Sequence, residues 1–282
     1  MRFLLLFIFG IGVAQASQAQ AELNVLTFNI RYNNPGDSLN AWPLRKDKAV
    51  SQILFHQADI VGVQEAQDDQ MQDLLKSLPK YKSAGGGRDD GKTKGEYSAI
   101  FYNTERLVAL QSATFWLSEK PTVAGSKGWD ANFPRIVTWI KFKDKKSGKT
   151  FFHFNTHFDH IGKIARRESA KYLLHAVDSI AGKTTAVVTG DFNAIPTDEP
   201  IRIIIDSSNS QHLLDTKLLS ATPHYGPTGT FNAFGQKERD DYPIDYIFVN
   251  RAIKVLQHAT LSQTWQGRFS SDHFPVFARV VL

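Results

Sequence analysis

The sequence predicts an α/β fold in which sheets are buried between layers, an α/β sandwich. Eight short apolar runs, rich in β-branched and aromatic residues, recur along the 282-residue chain, and their lengths suit strands. Several are apolar on both faces, which fits sheets covered on each side. Two other segments carry apolar residues at helical spacing instead.

In chain order, residues 1–21, MRFLLLFIFGIGVAQASQAQA, come first. One basic residue, an apolar run from Phe3 to Val13 and then small residues have the layout of a secretory signal peptide, too short and too lightly flanked for a spanning helix. Ala-Gln-Ala occurs twice, ending at Ala16 and Ala21, and we expect cleavage after Ala21. What remains is expected to be one secreted or periplasmic domain over 22–282. LNVLTFN is the first strand. From Leu44 to Phe55 the positions Ala49, Val50, Ile53 and Leu54 follow helical spacing. DIVGVQE and YSAIFY are strands, and AGGGRDDGKTKG, from Ala84 to Gly95, reads as a polar surface loop before the latter. SEKPTVAGSKGWDANFP, from Ser118, is a second long loop, and long loops in compact domains are often functional. RIVTWIKF and TFFHFNTH are strands. From Ala165 to Ile180 the helical pattern returns through Ala170, Leu173, Leu174 and Val177, with Arg166, Arg167 and Lys171 on other faces. TAVVTGD, IDYIFV and FPVFARVVL complete the strands.

Cysteine is absent, which excludes a disulfide framework and a lipid-anchored cysteine. Stability must come from a core, and roughly 260 residues can bury one as a single large domain. The net charge of +5 permits an anionic substrate without marking a nucleic-acid binder. No stretch after residue 21 is long and apolar enough to cross a membrane, and we expect a monomer.

Polar residues interrupt these strands at their ends. Asn29 closes LTFN, Glu65 closes DIVGVQE, His157 and Asp159 follow FFHFNT, and Asp191 and Asn193 follow AVVTG. Asp245 opens DYIFV, and Asp272 with His273 precedes the last strand. Antiparallel neighbours would bring the ends of some strands to the starts of others at one sheet edge. Carboxylates gathered there repel unless a cation or protons compensate. With no thiols available, carboxylate and amide oxygens suit Mg²⁺, with Mn²⁺ or Ca²⁺ as alternatives. Such a metal polarises a phosphoryl oxygen and stabilises a departing alkoxide. A histidine beside an aspartate supplies an oriented base or a phosphate-binding cation.

At these residues the chain resembles the endonuclease/exonuclease/phosphatase superfamily, from LTFNIRY to SDHFPV, with GDFN and SDHFPV the most specific motifs. The resemblance implies a four-layer α/β sandwich, two mixed sheets packed face to face with helices outside. It implies that Glu65 is the principal metal ligand, with Asn29 and Asp272 in the metal shell. It implies that His273 is the catalytic imidazole oriented by Asp245, and that Asp191 positions or deprotonates the attacking water. Asn193 would bind the phosphate, and His157 would contact it and stabilise its developing charge. Tyr97, Arg135 and Asp159 are further substrate-binding candidates. FWLSE, GSKGWD and NTHFDH, at Phe115, Gly125 and Asn155, resemble a subgroup of exported bacterial members.

The function expected is metal-assisted, in-line attack of water on a phosphoester, with a phosphodiesterase or nuclease first. The substrate partner would be nucleic acid or a small phosphorylated molecule. A phosphomonoesterase acting on sugar or inositol phosphates and a sphingomyelinase-type diesterase are the alternatives. Trp116, Trp129 and Trp265 are stacking candidates for bases. A non-catalytic phosphate-ligand binder is disfavoured, because every acid, amide and imidazole of an active member is present.

Overall fold

The computed structural model describes residues 22–235, 242–251 and 253–282. The proposed signal peptide, residues 1–21, lies outside the described residues. Among the described residues there are twelve strands: β1 (Glu22–Asn29), β2 (Ile60–Ala66), β3 (Tyr81–Ala84), β4 (Tyr97–Asn103), β5 (Leu107–Trp116) and β6 (Ile136–Asp144), then β7 (Thr150–His157), β8 (Ala186–Asp191), β9 (Leu214–Asp215), β10 (Asp245–Val249), β11 (Lys254–Thr260) and β12 (Val276–Val281). Five α-helices accompany them: α1 (Trp42–Phe55), α2 (Asp68–Ser77), α3 (Lys163–Ala181), α4 (Glu199–Ile205) and α5 (Thr216–Leu219).

The strands form two six-stranded sheets, ordered β11-β12-β1-β2-β4-β3 and β5-β6-β7-β8-β10-β9. Each sheet is mixed. The parallel pairs β1–β2 and β7–β8 sit at the centres, and the flanking pairs are antiparallel. Leu23, Val25, Ile60, Phe142, Phe151, Val187 and Ile247 fill the space between the sheets. On the outer face of the first sheet, Ala49 and Ile53 of α1 and Met71 and Leu74 of α2 pack on Phe28, Val61 and Phe101. On the outer face of the second, Ala170, Leu173 and Val177 of α3 and Ile201 of α4 pack on Phe154, Val188 and Phe248. This is the four-layer sandwich, with each central strand apolar on both faces because each face is covered.

One polar layer interrupts the core between the sheets. Gln64 on β2 donates through Nε2 to Thr27 Oγ1 at 3.0 Å and across the interface to Asn155 Oδ1 at 2.6 Å. Asn155 on β7 answers by donating to the carbonyls of Val63 and Ala99, each at 2.9 Å. Thr189 on β8 donates to Asn155 Oδ1 at 3.0 Å. Gly62 leaves room for this layer, since a Cβ there would stand 2.1 Å from Thr189 Oγ1. Buried polar groups joined in this way fix one register between the sheets, because slippage would strand each of them unpaired.

Topology explains why chemistry collects at one edge. β1, β2, β7 and β8 all end there, with Asn29, Glu65, His157 and Asp191 at or near their last positions. β10 runs antiparallel to β8, so its first residue, Asp245, pairs with Asp191. β12 runs antiparallel to β1, so the Asp272-His273 turn that precedes it arrives beside Asn29. Ser271 makes the junction tight, its hydroxyl donating to Asn29 O at 2.7 Å.

Candidate active site

Glu65 sits in a bulge, where the β2–β4 register shifts between Gln64 and Ala66, and its φ is 64°. A left-handed non-glycine residue in a bulge re-aims its side chain at a cost of about 1–3 kcal/mol, a device common at functional sites. The Glu65 carboxylate accepts from Asn29 Nδ2 at 3.0 Å and from the Tyr32 amide at 3.1 Å. Asn29 Nδ2 also donates to Asp191 Oδ2 at 2.9 Å, so one amide group holds two carboxylates together. Asn193 is left-handed too, with φ 47°, and its backbone N–H donates to Asp191 Oδ1 at 2.9 Å.

His273 and Asp245 complete the centre. His273 Nδ1 lies 2.9 Å from Asp245 Oδ2, and its Nε2 lies 3.8 Å from Asp191 Oδ2. Burial by itself would lower the His273 pKa, but Asp245 and Asp191 together outweigh it and hold the ring protonated well above the ordinary histidine range. Burial, then repulsion by Asp245, pushes Asp191 up to about 7. Asp272 is raised too, by burial and by Glu65, while His273 and the guanidiniums of Arg31 and Arg45 oppose the shift. His157 is the converse: burial and then Arg135 and Arg88 hold it neutral, well below the ordinary range. Asn193 Nδ2 is 3.0 Å from His157 Nε2, so that nitrogen accepts and Nδ1 carries the proton toward Glu96. The neutral His157 ring supplies no positive charge, whereas the protonated His273 ring does.

Glu65, Asp191 and His273 each place a ligating atom within 4.8 Å of the others. Two carboxylates held this close, with Asp191 raised by burial, are a donor set that a hard divalent cation relieves. The sequence-predicted metal residues are only partly reassembled. Glu65 is in the cluster, and Asp272 stands beside it, 3.7 Å from Arg31 Nε. Asn29 differs from the expectation. Its Oδ1 accepts the Arg31 amide at 3.0 Å, which leaves the Nδ2 group, not a ligand oxygen, facing the carboxylates. Its role here is that of a clasp.

The three further substrate-binding candidates are also placed. Asp159 is spent on structure: its two oxygens accept the amides of Asn132, Phe133, Ile161 and Gly162, at distances from 2.7 to 3.3 Å. Those bonds overcome the effect of burial and hold its pKa down at about 2. It ties the loop that begins at Ser118 to the start of α3, and it offers no free oxygen to a ligand. Tyr97 turns its hydroxyl toward Asp68 Oδ1 at 2.9 Å and Lys92 O at 2.8 Å, which anchors the 84–95 loop. Arg135 is buried, donating to Asp159 at 3.3 Å and lying 3.0 Å from His160 Nδ1.

Four residues at the site went unseen in the sequence. Arg88, in the glycine-rich loop, grips Glu96 with bonds of 2.7 and 3.0 Å. Burial, and then repulsion by Glu65, pushes Glu96 up to about 7, and its Oε2 is 4.0 Å from His157 Nδ1. Arg31 pairs with Asp37 through two bonds of 3.0 and 3.1 Å. Arg45 is buried and donates to the carbonyls of Ile30, Asn40, Arg31 and Ser270, which binds the segment after β1 to the segment before Asp272. Only Arg45 left a signal, since it lies in helical phase with Ala49, Gln52 and Ile53 on the buried face of α1.

Comparison with known proteins identifies the family. The model of the Endonuclease/Exonuclease/phosphatase family matches residues 26–273. Among solved structures, an endonuclease/exonuclease/phosphatase from Bacteroides vulgatus superposes with a TM-score of 0.89 at 42% identity, over 93% of this chain and 100% of its own. A mannosyl-6-phosphatase from Bacteroides thetaiotaomicron superposes with a TM-score of 0.87 at 38% identity, over 92% of this chain and 100% of its own. The uncharacterized protein L388 of Acanthamoeba polyphaga mimivirus is 28% identical over 271 residues, which is 90% of this chain and 98% of that protein. The clasped carboxylates, the His273–Asp245 pair and a family match spanning nearly all of both sheets lead to one conclusion: this chain belongs to the endonuclease/exonuclease/phosphatase family and is a hydrolase of phosphoester bonds.

Proposed function

We propose that this chain is an exported, Mg²⁺-dependent phosphoesterase whose substrates are small phosphate monoesters, phosphosugars among them. The observation that carries the metal-dependent chemistry is the Glu65–Asn29–Asp191 clasp facing His273. The 38% identity to a mannosyl-6-phosphatase supports the monoester reading. Export rests on residues 1–21. No helix among the described residues is long and apolar enough to cross a membrane.

Glu65 and Asp191 would hold the cation, with Asp272 beside them. When bound it would supply Lewis-acid polarisation of the phosphoryl group and stabilise the leaving alkoxide. The chain's own residues do the rest. Asp191, 3.8 Å from His273 Nε2, is placed to take a proton from the attacking water. The imidazolium of His273, fixed through Nδ1 by Asp245, faces the same point from its Nε2–H and favours the charge that builds on the phosphoryl oxygens. Asn193 Nδ2 has its two hydrogens directed at Phe158 O and His157 Nε2, which holds the loop after β8 in place.

A nuclease or other phosphodiesterase is the second reading, which the net charge of +5 permits. Arg166 and Arg167 on α3 are already engaged, by Asp159 O and by Glu168. A panel of mannose 6-phosphate, inositol monophosphate, bis-p-nitrophenyl phosphate, plasmid DNA and sphingomyelin separates these readings, using mature protein with Mg²⁺. We expect fastest turnover of the sugar phosphate with a shallow salt dependence, and Glu22 at the N-terminus of the exported protein. Preferential DNA cleavage that weakens steeply with salt would instead establish the nuclease. An exported chain still starting at Met1 would refute signal cleavage.

A further inference from the structure

Asp245 is 2% exposed, and His273 accounts for only one of its carboxylate oxygens. The other, Oδ1, is buried without a hydrogen-bond partner. A bare carboxylate oxygen in the interior is costly, and it draws the group toward any donor in reach and so away from His273. Asp245 lines a small cavity, of about 10 Å³, whose polar wall also includes Thr230, His258, Thr260, Asp215 and Lys217. That volume suits one water.

The hydrogens around the cavity define what its occupant must offer. His224 Nε2 lies 3.0 Å from Pro227 O, which only accepts, so Nε2 carries the proton of that ring. His224 Nδ1, 2.9 Å from His258 Nδ1, is then the acceptor, and His258 donates through Nδ1. Burial lowers the pKa of both rings, and with His224 and Lys217 beside it His258 is held down at about 3. The Nε2 of the neutral His258 ring is therefore a lone pair. Thr230 Oγ1 accepts the amides of Ile244 and Asp245, at 3.0 and 3.1 Å, which leaves its hydroxyl hydrogen to give. The wall thus offers two acceptors and one donor. A water meets all three, giving one hydrogen to Asp245 Oδ1 and one to His258 Nε2 while accepting from Thr230. A metal cation suits the place less well, with the Lys217 ammonium in the wall.

Resting on the reading of His273 as the imidazole of the hydrolytic centre, we infer that His258 is a positioning residue for hydrolysis, clamping Asp245 through one buried water so that Oδ2 stays on His273. His258 touches neither the substrate nor the carboxylate cluster. Its lever is the rotation of a carboxylate group: with Oδ1 held from behind, Asp245 keeps Oδ2 on His273 Nδ1, and the ring keeps Nε2 facing Asp191. His224 in turn fixes which nitrogen of His258 is bare.

The test reads kcat and KM for p-nitrophenyl phosphate with Mg²⁺ in the wild type, His258→Leu and His258→Gln, each checked for folding by circular dichroism. A crystal structure of the wild type, at a resolution that shows ordered waters, reads the bridge itself. We expect a water within about 3.2 Å of both Asp245 Oδ1 and His258 Nε2. His258→Leu should lower kcat about 10-fold, the effect of one hydrogen bond, with KM within about 2-fold of the wild type. His258→Gln, whose amide oxygen can take the water's hydrogen, should recover most of that loss. A folded His258→Leu with the wild-type kcat, or a folded His258→Gln no better than His258→Leu, would overturn the inference. So would a crystal with Asp245 Oδ1 bonded directly to a side chain or with no ordered water between the two residues, even if neither variant folded. A wild type that hydrolyses no phosphoester with metal present would instead sink the phosphoesterase reading, whereas a missing bridge in an active enzyme would sink only the role of His258.

Discussion

Asp191→Asn is expected to lower the hydrolysis rate at pH 7.5 by about 10³-fold while making the metal-free protein more stable. Asp191 lies between Asn29 Nδ2, His273 and the Asn193 amide, so the near-isosteric amide keeps the volume but loses the negative charge that would hold the cation and accept the proton. The stability gain follows from its pKa, raised from 3.8 to about 7 by burial and by Asp245. In the unfolded chain this carboxyl ionises through pH 3.8, whereas in the folded metal-free chain it stays protonated until about 7. The folded state is therefore penalised as pH rises from 3.8 toward 7, and the penalty is constant above that. Its upper bound is about 4 kcal/mol for a fully buried group, less what local relaxation recovers. Thermal melts in chelator at pH 4 and pH 8 read this directly. The variant should match the wild type at pH 4 and exceed it by at least ~3 °C at pH 8. A variant less stable than the wild type at pH 8, or one retaining more than a tenth of the activity, would contradict both assignments.

Asp245→Asn should cost nearly as much activity, about 10³-fold, although Asp245 faces His273 rather than the water. It is a positioning residue. Its Oδ2, 2.9 Å from His273 Nδ1, is the main support for the imidazolium against burial. An amide gives no charge to that ring, and its NH₂ can force the opposite tautomer. The diagnostic readout is the His273 imidazole in ¹⁵N NMR. The wild-type ring should remain protonated well above the ordinary histidine range, and the variant ring should be neutral at pH 7. An imidazolium that persists in the variant would show that Asp191 alone sustains it.

Strand ends were where the sequence spoke most clearly. All eight apolar runs are strands, and Glu65, His157, Asp191, Asp245 and His273 converge because topology brings ends and starts to one edge. α1 and α3 were legible from their apolar stripes. β5 escaped because it is an edge strand whose middle, Gln111 and Ser112, is polar and exposed, which breaks its apolar pattern. α2 escaped because its buried side is narrow: Gln70, Met71 and Leu74 among acidic and polar residues. The polar layer of Gln64, Asn155 and Thr189 was invisible because its partners come from different sheets. Arg88 and Glu96 were hidden for a related reason. They sit at either end of the polar 84–95 loop, and only the folded loop turns them inward beside His157. Asn29 lies at the strand end that its sequence position marks, and there its amide nitrogen, not its oxygen, meets the two carboxylates.

The central claim is that the Glu65–Asp191 carboxylates hold a divalent cation that phosphoester hydrolysis requires. The most direct measurement is the initial rate of p-nitrophenyl phosphate hydrolysis by metal-stripped protein as Mg²⁺ or Mn²⁺ is titrated in, for wild type and for Glu65→Ala with its fold checked by circular dichroism. Negligible activity without metal, saturable recovery in the wild type and at least ~10³-fold weaker recovery in Glu65→Ala would bear the account out. Full activity after exhaustive chelation, or the same metal response in the Glu65→Ala protein, would contradict it.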